Sequence, residues 1–263
     1  MPVISMSDPV MRKTAAATVL RIAQWLLPLL VSSAVFAGPP FFTDDPEPVE
    51  QHHSEFYLFS TLDRGNAATS VAGPAVEYNY GIAPDTQFHV VLPFAYQSPQ
   101  IGADEFGFGD MELGVKYRFV DETVDHPQIG IFPMIEVPTG NAARGLGNGQ
   151  AWYLLPLWIQ KSWDSWTSYG GAGYTINHAA GMHNSWFGGW LLQHDFSDRL
   201  TLGGELYRQG PDAEGSRGYS LVNFGGYYNF NPGFSLLFSA GHTFTGERHA
   251  VAYLGLYWTW TGG

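Results

Sequence analysis

From about residue 55 to the end of the chain, apolar and polar residues alternate with a period of two rather than 3.6. Residues 110–119 are the clearest case. Met111, Leu113, Val115, Tyr117 and Phe119 share one face, and Asp110, Glu112, Gly114, Lys116 and Arg118 share the other. Residues 86–97 repeat the pattern, with Phe88, Val90, Leu92, Phe94 and Tyr96 opposite Gln87, His89 and Gln97. Leu254, Leu256, Trp258 and Trp260 continue it near the C-terminus. Such strands place one face against apolar surroundings and the other against polar ones.

Turn signals punctuate the alternation, and two kinds take turns. Short polar turns are expected at 83–85, 120–122, 163–166, 196–199 and 230–234. Longer Gly-rich segments are expected at 63–69, 98–107, 139–149, 177–184 and 210–218, with a short one at 245–247. The runs between them make about twelve strands of roughly 9–13 residues, the length a tilted strand needs to cross a bilayer. Long two-sided strands with alternating short and long connections predict an all-β fold, a transmembrane antiparallel up-and-down β-barrel. Short turns would face the periplasm and long loops the outside, and closure would satisfy every backbone group. Trp163, Trp166, Phe196, Phe230 and Phe234 flank the short turns, as an aromatic girdle does. A soluble β-sandwich would also alternate, but its strands are usually about 5–6 residues long, and here the polar face carries charges. Residues 151–161 and 167–177 alternate poorly, which leaves the strand number open by two.

Residues 1–37 read as a cleaved signal peptide: Met11-Arg12-Lys13 is basic, residues 15–30 are mostly apolar, and Val35-Phe36-Ala37 is a cleavage site. The expected organisation is a leader at 1–37, a periplasmic N-terminal segment at 38–54, solvated by default, and a barrel at 55–263 in the cell outer membrane. With no cysteine, disulfides and thiolate metal sites are excluded. Thirty-two glycines and 17 prolines argue against long helices. Only 14% of residues are charged, against about 25% in soluble domains. The net charge of −12 argues against nucleic acid as a partner. The last strand, Tyr253 to Trp260, resembles the C-terminal signal that outer-membrane barrels present to their assembly machinery, with Gly255, Trp258 and Trp260 at the matching positions. Partners are therefore expected to be outer-membrane lipids and lipopolysaccharide, the assembly machinery and a small-molecule solute. The oligomeric state is open.

Two stretches carry a family resemblance: Gly38-Pro39-Pro40-Phe41-Phe42-Thr43-Asp44-Asp45-Pro46, and Gly107-Phe108-Gly109-Asp110-Met111-Glu112-Leu113-Gly114-Val115-Lys116-Tyr117-Arg118-Phe119. The second resembles the Gly-x-Gly-Asp-x-x-Leu-Gly-x-Lys-Tyr-Arg-Phe strand of the outer-membrane family labelled "putative MetA-pathway of phenol degradation". The resemblance implies a transporter-like barrel linked to uptake of hydrophobic or aromatic compounds, with no catalytic residues.

By alternation, Glu77, Glu112, Lys116, Arg118, Glu136 and Glu205 point into the lumen, where they would form either a charged constriction or a structural ladder. Twelve strands tilted about 40° enclose a backbone diameter of roughly 24 Å, enough for a small solute unless long side chains close it. No metal site or cofactor is expected. His52 and His53 are adjacent and point to opposite faces, and Asp44, Asp45 and Glu47 lack the spacing of a Ca²⁺ loop. The 139–149 segment lacks a Walker ending and is read as an outer loop. The chain is expected not to be an enzyme: His178, His183 and Ser185 lie near one loop without a nucleophile elbow. The expected function is an outer-membrane channel or transporter for small hydrophobic or aromatic solutes. The alternatives are an outer-membrane lipid hydrolase or acyltransferase, or a structural barrel with a filled lumen.

Overall fold

The computed structural model describes residues 39–261. The expected leader and its cleavage site after Ala37 lie outside the described residues. Fourteen strand segments follow in chain order: β1 (His53–Gly65), β2 (Ala68–Ala83), β3 (Thr86–Pro99), β4 (Glu105–Phe108), β5 (Met111–Val120), β6 (Gln128–Ile131), β7 (Met134–Val137), β8 (Trp152–Trp163), β9 (Trp166–Ile176), β10 (Ser185–Ser197), β11 (Leu200–Gln209), β12 (Tyr219–Asn231), β13 (Phe234–Gly246) and β14 (His249–Thr261). A single 3₁₀ turn, Ala142–Arg144, is the one helical piece among the described residues.

The sheet closes on itself. β1 pairs with β14 along its whole length, from His53 opposite Thr261 to Gly65 opposite His249. The fourteen segments occupy twelve positions around the wall. β4 and β5 both pair with β3 at successive heights, with Gly109 and Asp110 between them. Similarly, β6 and β7 share the place between β5 and β8, interrupted at Phe132 and Pro133. Proline has no N–H to give to a ladder, so the strand breaks where Pro133 sits. Closed, antiparallel and twelve positions round, the wall matches the sequence expectation.

The strands bury one face and expose the other, residue by residue. Along β5, Glu112, Gly114 and Lys116 are buried, while Val115, Tyr117 and Phe119 are exposed. The outer surface carries large apolar residues that a soluble protein would hide, among them Leu92, Trp186, Trp190, Leu206, Phe224 and Leu254. Trp163, Trp166, Phe196 and Phe230 are exposed beside the short turns, and Phe234 stacks between Phe230 and Trp258 at 5.1 Å from each.

Three details differ from the expectation. The connection expected as a loop at 63–69 is a two-residue hairpin at Asn66 and Ala67, because β1 and β2 continue pairing through Arg64 and Thr69. The connection after β5, expected as a short turn, spans residues 121–127. The wall begins at His53, two residues early, and much of the segment before it is buried, with Glu47 and residues 50–52 exposed. Phe41, Thr43, Asp44, Pro46 and Val49 are buried, and Thr43 has no exposed surface at all.

Candidate functional site

The interior of the barrel has two unlike walls. The polar wall is built by β2, β3, β5 and β7. Glu77 and Asn79 come from β2, Gln87 and His89 from β3, Glu112 and Lys116 from β5, and Glu136 from β7, and all are buried. Cross-strand register brings them together: His89 lies opposite Asn79, and Glu112 opposite Glu136. Both ring nitrogens of His89 face oxygens, Nδ1 at 2.7 Å from Asn79 Oδ1 and Nε2 at 2.8 Å from Glu112 Oε1. Asn79 Nδ2 in turn donates to Glu77 Oε1 at 2.8 Å. The other wall is apolar. Trp152, Leu154 and Trp158 on β8, Phe187 on β10, Tyr207 on β11 and Leu221 on β12 form one buried cluster with Phe132 and Met134.

Residues 39–50 run into the space between these walls. Each contact is specific. Phe42 and Thr43 donate their backbone N–H groups to the Glu205 carboxylate, at 3.2 and 2.5 Å, and Asn223 Nδ2 donates to the same group at 3.1 Å. Ser239 Oγ on β13 donates to the Pro40 carbonyl at 2.5 Å. Lys116 Nζ reaches Asp44 at 3.0 Å and Asp45 at 3.4 Å, and lies 5.1 Å from the centre of the Phe132 ring. Val49 N–H donates to Gln87 Oε1 at 2.8 Å, and Glu47 accepts from Gln128 and Gln160 at 3.4 and 3.3 Å. The Phe42 ring packs 5.2 Å from that of Tyr207. Asp44 lies outside the strands; burial pushes its carboxyl above the ordinary carboxylate range, against the pull of Lys116. An extended peptide carries its own unpaired backbone groups, and inside a barrel these must find side-chain partners. Glu205, Gln87 and Ser239 supply them.

Beside this segment remains a cavity of about 390 Å³, lined by Asp44, Asp45, Glu47, Glu55, Glu77, His89, Glu112, Lys116, Tyr57 and Phe132, among others. At the long-loop end, residues 138–151 fold onto the wall. Asp110, in the break between β4 and β5, accepts from Gly140 and Asn148 N–H groups at 2.8 and 2.6 Å, and Arg144 Nε donates to Glu105 at 2.7 Å. Leu146 is buried, near the place where a Gly107 side chain would begin.

Of the six charged residues expected to face the lumen, Glu77, Glu112, Lys116, Glu136 and Glu205 are buried inside it. Arg118 sits apart from them, at the short-turn rim, paired with Asp85 at 2.5 Å and Asp121 at 3.0 Å. Glu205 lies far from the acidic group and anchors the inserted segment instead. Gly255 is buried against Phe59 and Tyr253, while Trp258 and Trp260 lie on the outer face near the strand end. The inserted segment and the apolar wall were both missed. The two phenylalanines at 41 and 42 were the available signal, since a solvated tail has no use for them. His183 and Ser185 line a gap of about 10 Å³ with Asp212, but among the described residues no hydrogen bond joins their side chains. Likewise, among the described residues no group of three or more His, Cys, Asp or Glu side chains is arranged to hold a metal ion.

The sequence profile of the family described as "Putative MetA-pathway of phenol degradation" matches residues 58–259. The chain belongs to this family. The match includes the strand at 107–119 and excludes the stretch at 38–46. No curated protein matches the sequence. Among solved structures, the COG4313 outer membrane channel from Pseudomonas putida F1 superposes with a TM-score of 0.68 at 15% identity, covering 82% of this chain and 98% of that one. The KdgM porin gives 0.54 at 10% identity, covering 78% and 98%. The translocator domain of the autotransporter NalP from Neisseria meningitidis gives 0.53 at 12%, covering 94% and 97%. At these identities the likeness concerns the fold, which is that of an outer-membrane β-barrel.

Proposed function

We propose that this family member is a passive outer-membrane channel for small solutes, hydrophobic or aromatic ones among them, closed at rest by residues 39–50. The observation that carries the reading is what fills the lumen. Wall side chains fill part of the interior, in one buried cluster that gathers residues of β7, β8, β10, β11, β12 and β14, but they do not fill all of it. A separate peptide and a cavity of about 390 Å³ occupy the rest. A peptide that enters from outside the wall is able to leave it, whereas interdigitated wall side chains are not. Tyr57 and Phe132 give the cavity aromatic surface for an apolar solute, and the acidic wall disfavours anions. That the COG4313 protein is named an outer membrane channel agrees with this reading. In the same reading residues 1–37 are removed on export, Gly255, Trp258 and Trp260 serve recognition by the assembly machinery, and lipids and lipopolysaccharide surround the apolar belt. The chain catalyses no reaction in this account.

Single-channel recording in planar bilayers tests it, with the natural protein beside a variant lacking residues 39–50. The deletion is expected to give discrete conductance steps several times larger than those of the natural protein. A folded, inserted deletion variant that stays silent would favour the filled structural barrel, a reading that the many ties between segment and wall keep in play.

A further inference from the structure

The cavity beside the inserted segment is unevenly charged. Seven carboxyl groups line it, from Asp44 in the segment to Glu112 in the wall, against the ammonium of Lys116 and the imidazole of His89 between Glu77 and Glu112. Lys116 itself shows how a cation is held here: two carboxylates at 3.0 and 3.4 Å and the face of Phe132 at 5.1 Å. It does not satisfy the rest. Asp44 Oδ2 is buried without a hydrogen-bond donor, on a side chain that is 2% exposed and lies in this cavity. A buried carboxylate oxygen without a donor is costly, and a ligand bringing N–H groups relieves it. Tyr57 and Phe132 add aromatic surface to the same cavity. Its volume lies in the range of roughly 300–1,000 Å³ usual for small-molecule sites.

We propose that this cavity binds small organic cations of the arylalkylamine class, the ammonium group meeting Glu112 and Asp44 and the ring lying against Tyr57 and Phe132. The inference rests on the channel reading and narrows its solutes to those that carry hydrogen-bond donors and no negative charge. The inserted segment supplies part of the site through Asp44, so solute and segment meet in the same space.

Calorimetric titration of the folded, detergent-solubilised full chain tests this with three probes of similar size: phenethylammonium chloride, benzyl alcohol and sodium phenylacetate. Phenethylammonium is expected to bind saturably, benzyl alcohol at least tenfold more weakly, and phenylacetate not measurably. Glu112→Gln is expected to weaken phenethylammonium at least tenfold while leaving benzyl alcohol unchanged. Glu55→Gln, at another lining position, is expected to weaken it severalfold, and carries the test if Glu112→Gln fails to fold by heat-dependent gel migration. Phenylacetate binding as tightly as phenethylammonium, or an ammonium affinity that neither folded variant alters, overturns the proposal. A barrel that conducts without residues 39–50 yet ignores phenethylammonium keeps the channel reading and loses this one. A barrel that binds the cation and never conducts does the reverse.

Discussion

Lys116 is the residue on which the two parts of the molecule meet. Its ammonium is buried in the wall, and both of its carboxylate partners belong to the inserted segment. Breaking a buried ion pair from one side typically costs about 3–5 kcal/mol, because the remaining charge stays buried and unpaired. Lys116→Met should therefore destabilise the barrel by about that amount in urea unfolding, and adding Asp44→Asn to it should recover more than half, since Asp45 is far less buried. A Lys116→Met variant as stable as the natural protein would show that the segment is not seated on this pair. Side-chain direction was readable at this scale, because a period of two assigns each residue a face: Glu77, Glu112, Lys116, Glu136 and Glu205 all lie on the inner one. Partners were not readable. The Asp44–Lys116 contact spans 72 residues, and Arg118 shares its face with Lys116 yet ends at the rim because the strand stops there beside Asp85.

At the level of elements, β8 and β9 explain why their alternation was weak. β8 is apolar on both sides: Trp152, Leu154 and Trp158 face inward, and Tyr153, Leu155 and Leu157 face outward. A strand between lipid and an apolar interior has no polar face to show, and its pattern loses the period of two. β9 carries glycines where neighbouring rings need room. A side chain at Gly170 would begin 2.6 Å from the Trp190 ring, one at Gly171 would begin 2.9 Å from Trp158, and one at Gly173 would meet the Phe187 ring. These glycines are the space into which aromatics of β8 and β10 lean, much as aromatic residues cover glycines in other sheets. Gly173→Val forces Phe187 away and also strikes the Pro156 backbone, an overpacking that costs about 1–3 kcal/mol. The expected result is a lower folded fraction at a fixed urea concentration, read from heat-dependent gel migration, with Phe187→Ala in the same chain restoring part of it. Connection lengths were the other misreading. Gly65 and Asn66 mark a turn, but the two-residue hairpin there lets paired strands run on to Gly65 and Ala68.

On the scale of the whole molecule, the closed wall and the inserted segment are specified by different interactions. Wall closure follows from backbone pairing that the bilayer enforces, so it was legible from period, turn spacing and strand length. The segment is held by side chains scattered over β3, β5, β6, β8, β11 and β13, and nothing local in residues 39–50 specifies those partners. Its seat nevertheless makes its movement testable by a covalent lock. Thr43 lies against Gly189 on β10 so closely that a side chain at Gly189 would overlap Thr43 Oγ1, which leaves the two Cβ positions just short of the roughly 3.5–4.5 Å that a disulfide spans, a gap that a small outward shift of the segment supplies. The chain has no cysteine of its own, so Thr43→Cys with Gly189→Cys introduces the one possible bridge. If solute passage requires the segment to leave, the oxidised variant should be silent in planar bilayers, and reduction in the chamber should restore conductance at least to the natural level. Each single-cysteine variant should ignore the reductant. Equal conductance in the oxidised and reduced double variant, with the bridge verified by mass, would mean that solutes pass beside a stationary segment. The cavity of about 390 Å³ would then be part of the conduit itself.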